Sequence, residues 1–300
     1  MDQLHLMRVY VAVADCQGFA AGARLLNMSP PAVTRAVAAL EQSLGVKLLI
    51  RTTRNVRTTE AGARYLEDAR RILEQVDRAN EAAIGLNSEP KGRLSVTAPV
   101  LFGQQYVMPG IVAFLSEYPH TQVHAVFLDR VVNLLEEGFD LGIRIGHLPD
   151  SNMHAKQVGS VRSLLVASPS YLAEQGKPNA PGELDQHQLI HVNAGSMSHD
   201  WQFNDKQNKK VFVRVNSRLN VTTHQGAINA VKQGFGITRV LSYQVANELA
   251  TGELVTLMTT FEPPAMPVHI IHREGRMASA KVRCFIELMS EHLRSQLEHG

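Results

Sequence analysis

Apolar side chains at Val33, Ala36, Val37 and Leu40 recur at i, i+3, i+4 and i+7, the stripe of a helix with one buried face. Ala32, Thr34, Arg35 and Ala39 fall off that stripe. Upstream, Ala20, Ala21, Ala23 and Leu25 suit a short helix whose small residues let a neighbour approach. Asn27-Met28-Ser29 breaks it; Asn27 tolerates the left-handed conformation of a tight turn, and Ser29 is a natural N-cap. Pro30 and Pro31 then occupy the first turn, where a missing N–H costs nothing. Residues 18–59 thus predict a helix, a tight turn, a second helix and a basic hairpin. That order presents one short helix to a DNA major groove and a positive wing to the backbone beside it. Ahead of it, residues 1–15 predict an amphipathic helix with Leu4, Met7, Val11 and Ala14 on one face.

Residues 58–86 read as one long helix, begun at Thr58 or Thr59 with Glu60 in its first turn. Gly62, Leu66, Ala69, Leu73, Val76, Asn80 and Ala83 form a heptad seam. Residues 1–57 are too few to cover a rod rising ~1.5 Å per residue, so pairing with a second copy through Leu66, Leu73, Val76 and Asn80 is expected. Glycine, proline and polar residues at 85–92 predict a hinge.

From Arg93 the pattern alternates. Strands are expected at 93–98, 121–128, 140–146, 163–168, 189–193, 211–215, 217–222, 236–241 and 267–272. Helices are expected at Phe102–Glu117, Val131–Glu137, after Ser168, at about 223–233 and at the end near Leu297. Such alternation implies parallel sheets with helices on both faces, here as two similar α/β halves.

Charge sharpens the first segment. Residues 1–60 carry seven Lys/Arg against four Asp/Glu, so +3 sits in the first fifth of a chain whose total is +2. Lys47, Arg51, Arg54 and Arg57 crowd the hairpin, the asymmetry that phosphate binding requires. No stretch approaches the ~20 apolar residues of a membrane span, and the N-terminus is too polar for a signal peptide, which places the chain in the cytoplasm. Cys16 and Cys284 lack a CxxC context and read as small buried residues. The close histidine pairs, His187/His191 and His269/His272, have no completing carboxylate or thiol, so no metal is expected. Signatures of hydrolases, zinc proteases and nucleotide-binding enzymes are missing, and a Ser196/His199 pair has no orienting acid, so the chain reads as a non-enzyme.

The N-terminal segment resembles the winged helix-turn-helix of the LysR-type transcriptional regulators. The resemblance rests on Phe19, Ala20, Ala21, Ala23, Leu25 and Leu26; on Ser29, Pro31, Ala32, Val33, Thr34 and Arg35; on Leu40, Glu41, Leu44, Gly45, Val46 and Leu48; and on the run from Arg51 to Gly62. Gly18 stands where the family usually has a capping serine, and Pro30 where many members carry glutamine. The resemblance implies a multidomain chain: a winged helix-turn-helix domain (1–59), a dimerising linker helix and hinge (60–92), and a two-lobed periplasmic-binding-protein-like effector domain (93–300). Lobe I would span about 93–162 and 268–300, lobe II about 163–267. It implies a regulator that binds promoter DNA as a homodimer or homotetramer, contacts RNA polymerase and answers to a small organic effector such as a carboxylate, with no other cofactor. The alternative is a ligand-independent, nucleoid-type architectural protein.

Ser29, Pro30, Pro31, Ala32, Thr34 and Arg35 are the expected residues at base edges and nearby phosphates, with Arg51, Arg54 and Arg57 on wing phosphates. Ligands of an open two-lobed α/β fold sit between the carboxyl ends of its strands. That gathers Pro99, Val100, Phe102 and Gly103, where free N–H groups could hold an anion, with Asp129, Arg144 and Gly146. From the second half it gathers Asn193, which opens the loop Ala194-Gly195-Ser196, and Thr222, Thr223 and His224. An ion pair from Arg144 to Asp140 or Asp129, and helix capping by Thr222 or Thr223, are equally open. Effector binding would shift the lobes and act on the DNA-binding pairs through the hinge.

Overall fold

Helices α1 (Gln3–Asp15), α2 (Phe19–Leu25) and α3 (Pro30–Leu44) bury their apolar stripes against one another. The computed structural model describes residues 2–51, 56–84, 89–148, 153–193, 200–205, 207, 209–273 and 278–297. Val33, Ala36, Val37 and Leu40 form the inner face of α3, as the spacing predicts. Asn27 turns the chain at φ 51, and α3 stops at left-handed Gly45. Leu25 departs from expectation: it is 63% exposed, and Gly22 and Ala23 make the close packing instead. Strands β1 (Leu49–Arg51) and β2 (Val56–Thr58) pair antiparallel as the wing, and α4 (Glu60–Ile84) follows. Thr59 caps α4: its hydroxyl accepts from Gly62 N–H at 2.8 Å and donates to the Lys47 carbonyl.

Two expectations for this unit are corrected. Helix α1 buries two faces. Leu6, Val9, Tyr10 and Val13 enter the three-helix core, whereas Leu4, Met7 and Val11 meet α4. The seam on α4 is therefore not left bare by its own domain. Ala69 and Leu73 pack on Met7, Leu66 lies against the core, and ion pairs Arg8–Asp77 and Arg70–Asp15 join the two helices. A 13-residue helix laid beside α4 covers more of it than a count of residues 1–57 suggested. Beyond Leu73, Val76 is half-buried and Asn80 exposed; the side chain of Ala83 and half of the hinge (85–88) lie outside the described residues.

Residues 1–88 form one unit and 89–300 another. The second begins with β3 (Gly92–Ala98), α5 (Val100–Phe102), a π-turn at Gly103–Val107, α6 (Met108–Glu117), β4 (Thr121–Phe127), β5 (Leu141–Ile145) and β6 (His154–Val161). It continues through β7 (Ser163–Ala167), α7 (Pro169–Gln175), β8 (Leu189–Val192), β9 (Asp200–Asn204), β10 (Lys210–Arg214), β11 (Leu219–Val221) and α8 (His224–Lys232). Strand β12 (Ile237–Leu241), α9 (Ala246–Thr251), β13 (Val255–Leu257), β14 (Met266–His272) and α10 (Ala280–Leu297) complete it.

Two five-stranded sheets result, ordered β4-β3-β5-β14-β6 and β11-β8-β12-β7-β13. They are mixed rather than wholly parallel. Strand β14 runs antiparallel to β5 and β6, and β7 antiparallel to β12 and β13. The chain crosses between lobes near Arg162 and returns before Met266, so β7 and β14 enter their sheets without a helical crossover of their own. Alternation then sorts the side chains: Leu164 and Val166 face α8, while Leu165 and Ala167 face a core closed by Trp201 and Phe203 of the β9–β10 hairpin.

The expected helix at Val131–Glu137 is a series of turns. Asn133 Oδ1 accepts from Leu135 and Glu136 N–H, a local bond that competes with helix, and Arg130 clamps Glu137 across the loop. Strands β6, β9 and β13 were not anticipated, because each is short or too polar for a clear period.

Candidate nucleic-acid interface and ligand cleft

Helix α3 offers one polar edge. Ser29, Pro30, Pro31 and Arg35 are exposed with Ala38 and Gln42, and Ala32 and Thr34 are half-buried beside them. Ser29 holds the N-cap position, yet its hydroxyl makes no capping bond, since prolines at the first two positions leave little to cap. That hydroxyl is free to meet an external acceptor. Arg57 is exposed on β2; Arg54 and the side chain of Arg51 lie outside the described residues. Lys47 is not a free wing cation, because its ammonium lies 2.7 Å from Glu41.

Glu41 was read only as part of a motif, and the structure gives it a role. It is 7% exposed, and its Oε1 accepts from Leu48 N–H (2.9 Å) and Leu49 N–H (3.1 Å). Burial would raise its pKa, but Lys47 and the two N–H groups outweigh burial and hold it below the ordinary value. The wing is thereby fastened to the recognition helix.

In the second unit the two lobes meet at Asp129. Its Oδ1 accepts from Val100 N–H at 2.9 Å, so the helix terminus expected to hold a ligand anion already has a carboxylate from the chain. Across the cleft lie His224, at the start of α8, and Tyr243. Burial lowers the pKa of His224, which the charge of Asp129 opposes, and the His224 Nδ1 is sealed from water without a partner among the described residues. Burial raises the pKa of Tyr243, and Asp129 adds to the rise. Phe102 stacks on Tyr106 (5.1 Å), and both meet the Tyr243 ring edge-on at 5.1 and 5.8 Å. Gly103 lets this helix close on β4, since a Cβ there would lie 2.4 Å from the Phe127 ring. Pro99 precedes α5, and the Thr97 hydroxyl is buried without a partner among the described residues.

The other expected cleft residues make local bonds of their own. Arg144 pairs with neither Asp129 nor Asp140: it donates to the Ile143 carbonyl at 3.1 Å, and Asp140 is held by Ser95 N–H. Burial lowers the pKa of Arg144, Glu137 opposing. Gly146 N–H bonds the Pro267 carbonyl, and Asn193 N–H the Val221 carbonyl. Thr223 caps α8 through its hydroxyl and Gly226 N–H, while Thr222 is exposed. Ala194-Gly195-Ser196 and the Ser196/His199 pair lie outside the described residues. A groove of about 660 Å³ lined by Asp185, Arg214 and Asn220 opens near the start of β11, away from these side chains.

Residues 4–63 match the family described as bacterial regulatory helix-turn-helix protein, lysR family, and residues 87–294 match the LysR substrate binding domain. The chain belongs to the LysR family. Among relatives of this LysR-type regulator, DmlR of Escherichia coli is 32% identical, over 99% of this chain and 98% of its own. The solved structure of CrgA from Neisseria meningitidis, itself a LysR-type regulator, is 29% identical with a TM-score of 0.61 and covers 96% of this chain and 98% of its own. AphB, a Vibrio cholerae virulence activator, shares 26% identity at TM-score 0.62, with 96% of this chain and 98% of AphB covered. The LysR-type regulator thus couples a DNA-binding helix-turn-helix to a two-lobed effector-binding domain, and the architectural alternative finds no support. Sequence reading missed Glu41, Tyr106 and Tyr243; of these only the aromatic residues, flanking strand and helix ends, carried a usable signal. No helix among the described residues is long and apolar enough to cross a membrane.

Proposed function

We propose that this regulator reads promoter DNA with the exposed edge of α3. Arg35 addresses a base edge, Ser29, Pro30, Pro31, Ala32 and Thr34 fit the groove wall, and Arg57, with Arg51 and Arg54, neutralises phosphates. The observation that carries this reading is the split of α3 itself: four apolar residues buried inward, Arg35 and an uncommitted Ser29 hydroxyl outward. Pairing of two copies along α4 beyond Leu73, through Val76 and Asn80, presents two such helices to two half-sites, as a dimer or a dimer of dimers. Regulation then acts through contact with RNA polymerase.

The effector is a small organic molecule in the cleft. Asp129 and His224 offer it polar contacts and half-buried Tyr106 an apolar edge, backed by the core residues Phe102 and Tyr243. Because Asp129 caps Val100, a donor group such as a hydroxyl or amine fits there better than the carboxylate expected from sequence. Selection of sheared genomic DNA on the purified protein tests the DNA reading. Recovery of fragments sharing two half-sites one helical turn or a multiple apart supports it; sequence-blind recovery overturns it.

A further inference from the structure

Within the first unit, Arg8, Lys47, Arg64, Arg70 and Arg71 each face a carboxylate of the same unit. Among the described residues of that unit, Arg24, Arg35 and Arg57 stand outside these pairs, and all three are exposed. Arg35 and Arg57 are the residues assigned above to a base edge and a phosphate. Arg24 has no such role: it lies in the last turn of α2, before the turn at Asn27.

Two backbone bonds fix where Arg24 stands. Asn27 N–H donates to the Arg24 carbonyl at 3.2 Å, and Met28 N–H to the Ala23 carbonyl at 2.9 Å. The end of α2 is thereby folded onto the turn that leads into Ser29 and Pro30. In a helix-turn-helix the start of the second helix reaches base edges while the first helix crosses the sugar–phosphate backbone. With α3 in the groove, the end of α2 therefore stands at the groove rim. Leu25, next to Arg24, is 63% exposed, so the unit's own packing leaves this end open. A helix C-terminus carries partial negative charge, which disfavours a phosphate unless a cation stands beside it. Arg24 supplies that cation. We propose that Arg24 binds a backbone phosphate at the rim of the groove that α3 enters, a contact separate from those of the wing. Such a contact positions α3 and carries no sequence information of its own. This role rests on the DNA reading of α3.

The full chain is titrated onto a duplex of arbitrary sequence by fluorescence anisotropy at several salt concentrations. Each neutralised phosphate adds about 0.9 to the slope of log affinity against log salt. Arg24→Gln removes the charge at little cost in helix propensity and should lower that slope by about one. Arg24→Lys, which keeps the charge, should restore it, and Arg64→Gln, whose cation is held by Glu60, should leave it unchanged. A role confined to the stability of α2 would not move the slope. A wild-type slope in Arg24→Gln, or an equal drop in Arg64→Gln, overturns the proposal. If Arg57→Ala also keeps the wild-type slope, the DNA reading falls with it; if Arg57→Ala alone lowers it, only Arg24 is excluded. Should Arg24→Gln fail to fold by circular dichroism, Arg24→Ala carries the comparison.

Discussion

The carboxylate of Glu41 accepts the backbone N–H of Leu48 at 2.9 Å, so the end of the recognition helix and the start of the wing share one buried anion. Glu41→Ala leaves the Leu48 and Leu49 donors unpaired in a buried place, at a cost of about 1–3 kcal/mol. Hydrogen exchange over residues 45–51 should accelerate accordingly, and Glu41→Gln, which keeps an acceptor, should lose less. Equal exchange in all three proteins would remove Glu41 from this role.

The same carboxylate sets an acid limit. Its folded pKa lies below the ordinary 4.5, so it contributes stability that is full above that value and lost as pH falls through the lowered one. Thermal melts of the wild type should weaken below about pH 4.5 relative to neutral pH, with a shallower acid slope in Glu41→Gln.

Gly62 supports the same wing from α4. A Cβ there would lie 2.0 Å from the Leu48 carbonyl oxygen, and backbone cannot yield as a side-chain tip does. Gly62→Ala should destabilise the first unit by roughly 1–3 kcal/mol or more in chemical denaturation. A stability within error of wild type would contradict the packing.

Leu73 and Val76 separate folding from pairing. Leu73 is 8% exposed against Met7 of its own chain, so Leu73→Glu should unfold the first unit, lowering its helical signal. Val76→Glu should leave that signal intact and shift the mass seen by light scattering towards the monomer. An unchanged mass would place the pairing surface elsewhere.

Asp129 and His224 report on the cleft. Asp129 raises the His224 pKa against burial, so Asp129→Ala should lower it further, as read from an NMR titration of the imidazole. A value that does not move would mean that the two residues do not face each other.

Much of the first unit was legible because its pattern is local: the α3 stripe, the turn at Asn27 and the cap at Thr59 each depend on neighbours within a few residues. Glu41 was not, since nothing in its spacing says that it reaches seven and eight residues on to two amides. The covered face of α4 was misjudged because contact between α1 and α4 is decided by three-dimensional packing. In the second unit most strands were readable, though not the short or polar β6, β9 and β13, and strand directions were not, as β7 and β14 take theirs from crossings between lobes. Cleft residues were the hardest to read. For Arg144 the spacing left an ion pair and a ligand contact equally open, and its bond to the Ile143 carbonyl is visible only in the fold, whereas Tyr243 gains its place only when the lobes meet.

On the proposed DNA reading, Arg35 reads sequence while Arg57 binds charge. Fluorescence anisotropy on a selected operator and on a scrambled duplex, each at several salt concentrations, tests it most directly. Arg35→Ala should lose about 1–3 kcal/mol on the operator and little on the scrambled duplex. Arg57→Ala should weaken both alike and reduce the salt slope by about one. Equal losses on both duplexes for Arg35→Ala would contradict the account, leaving α3 an anchor rather than a reader.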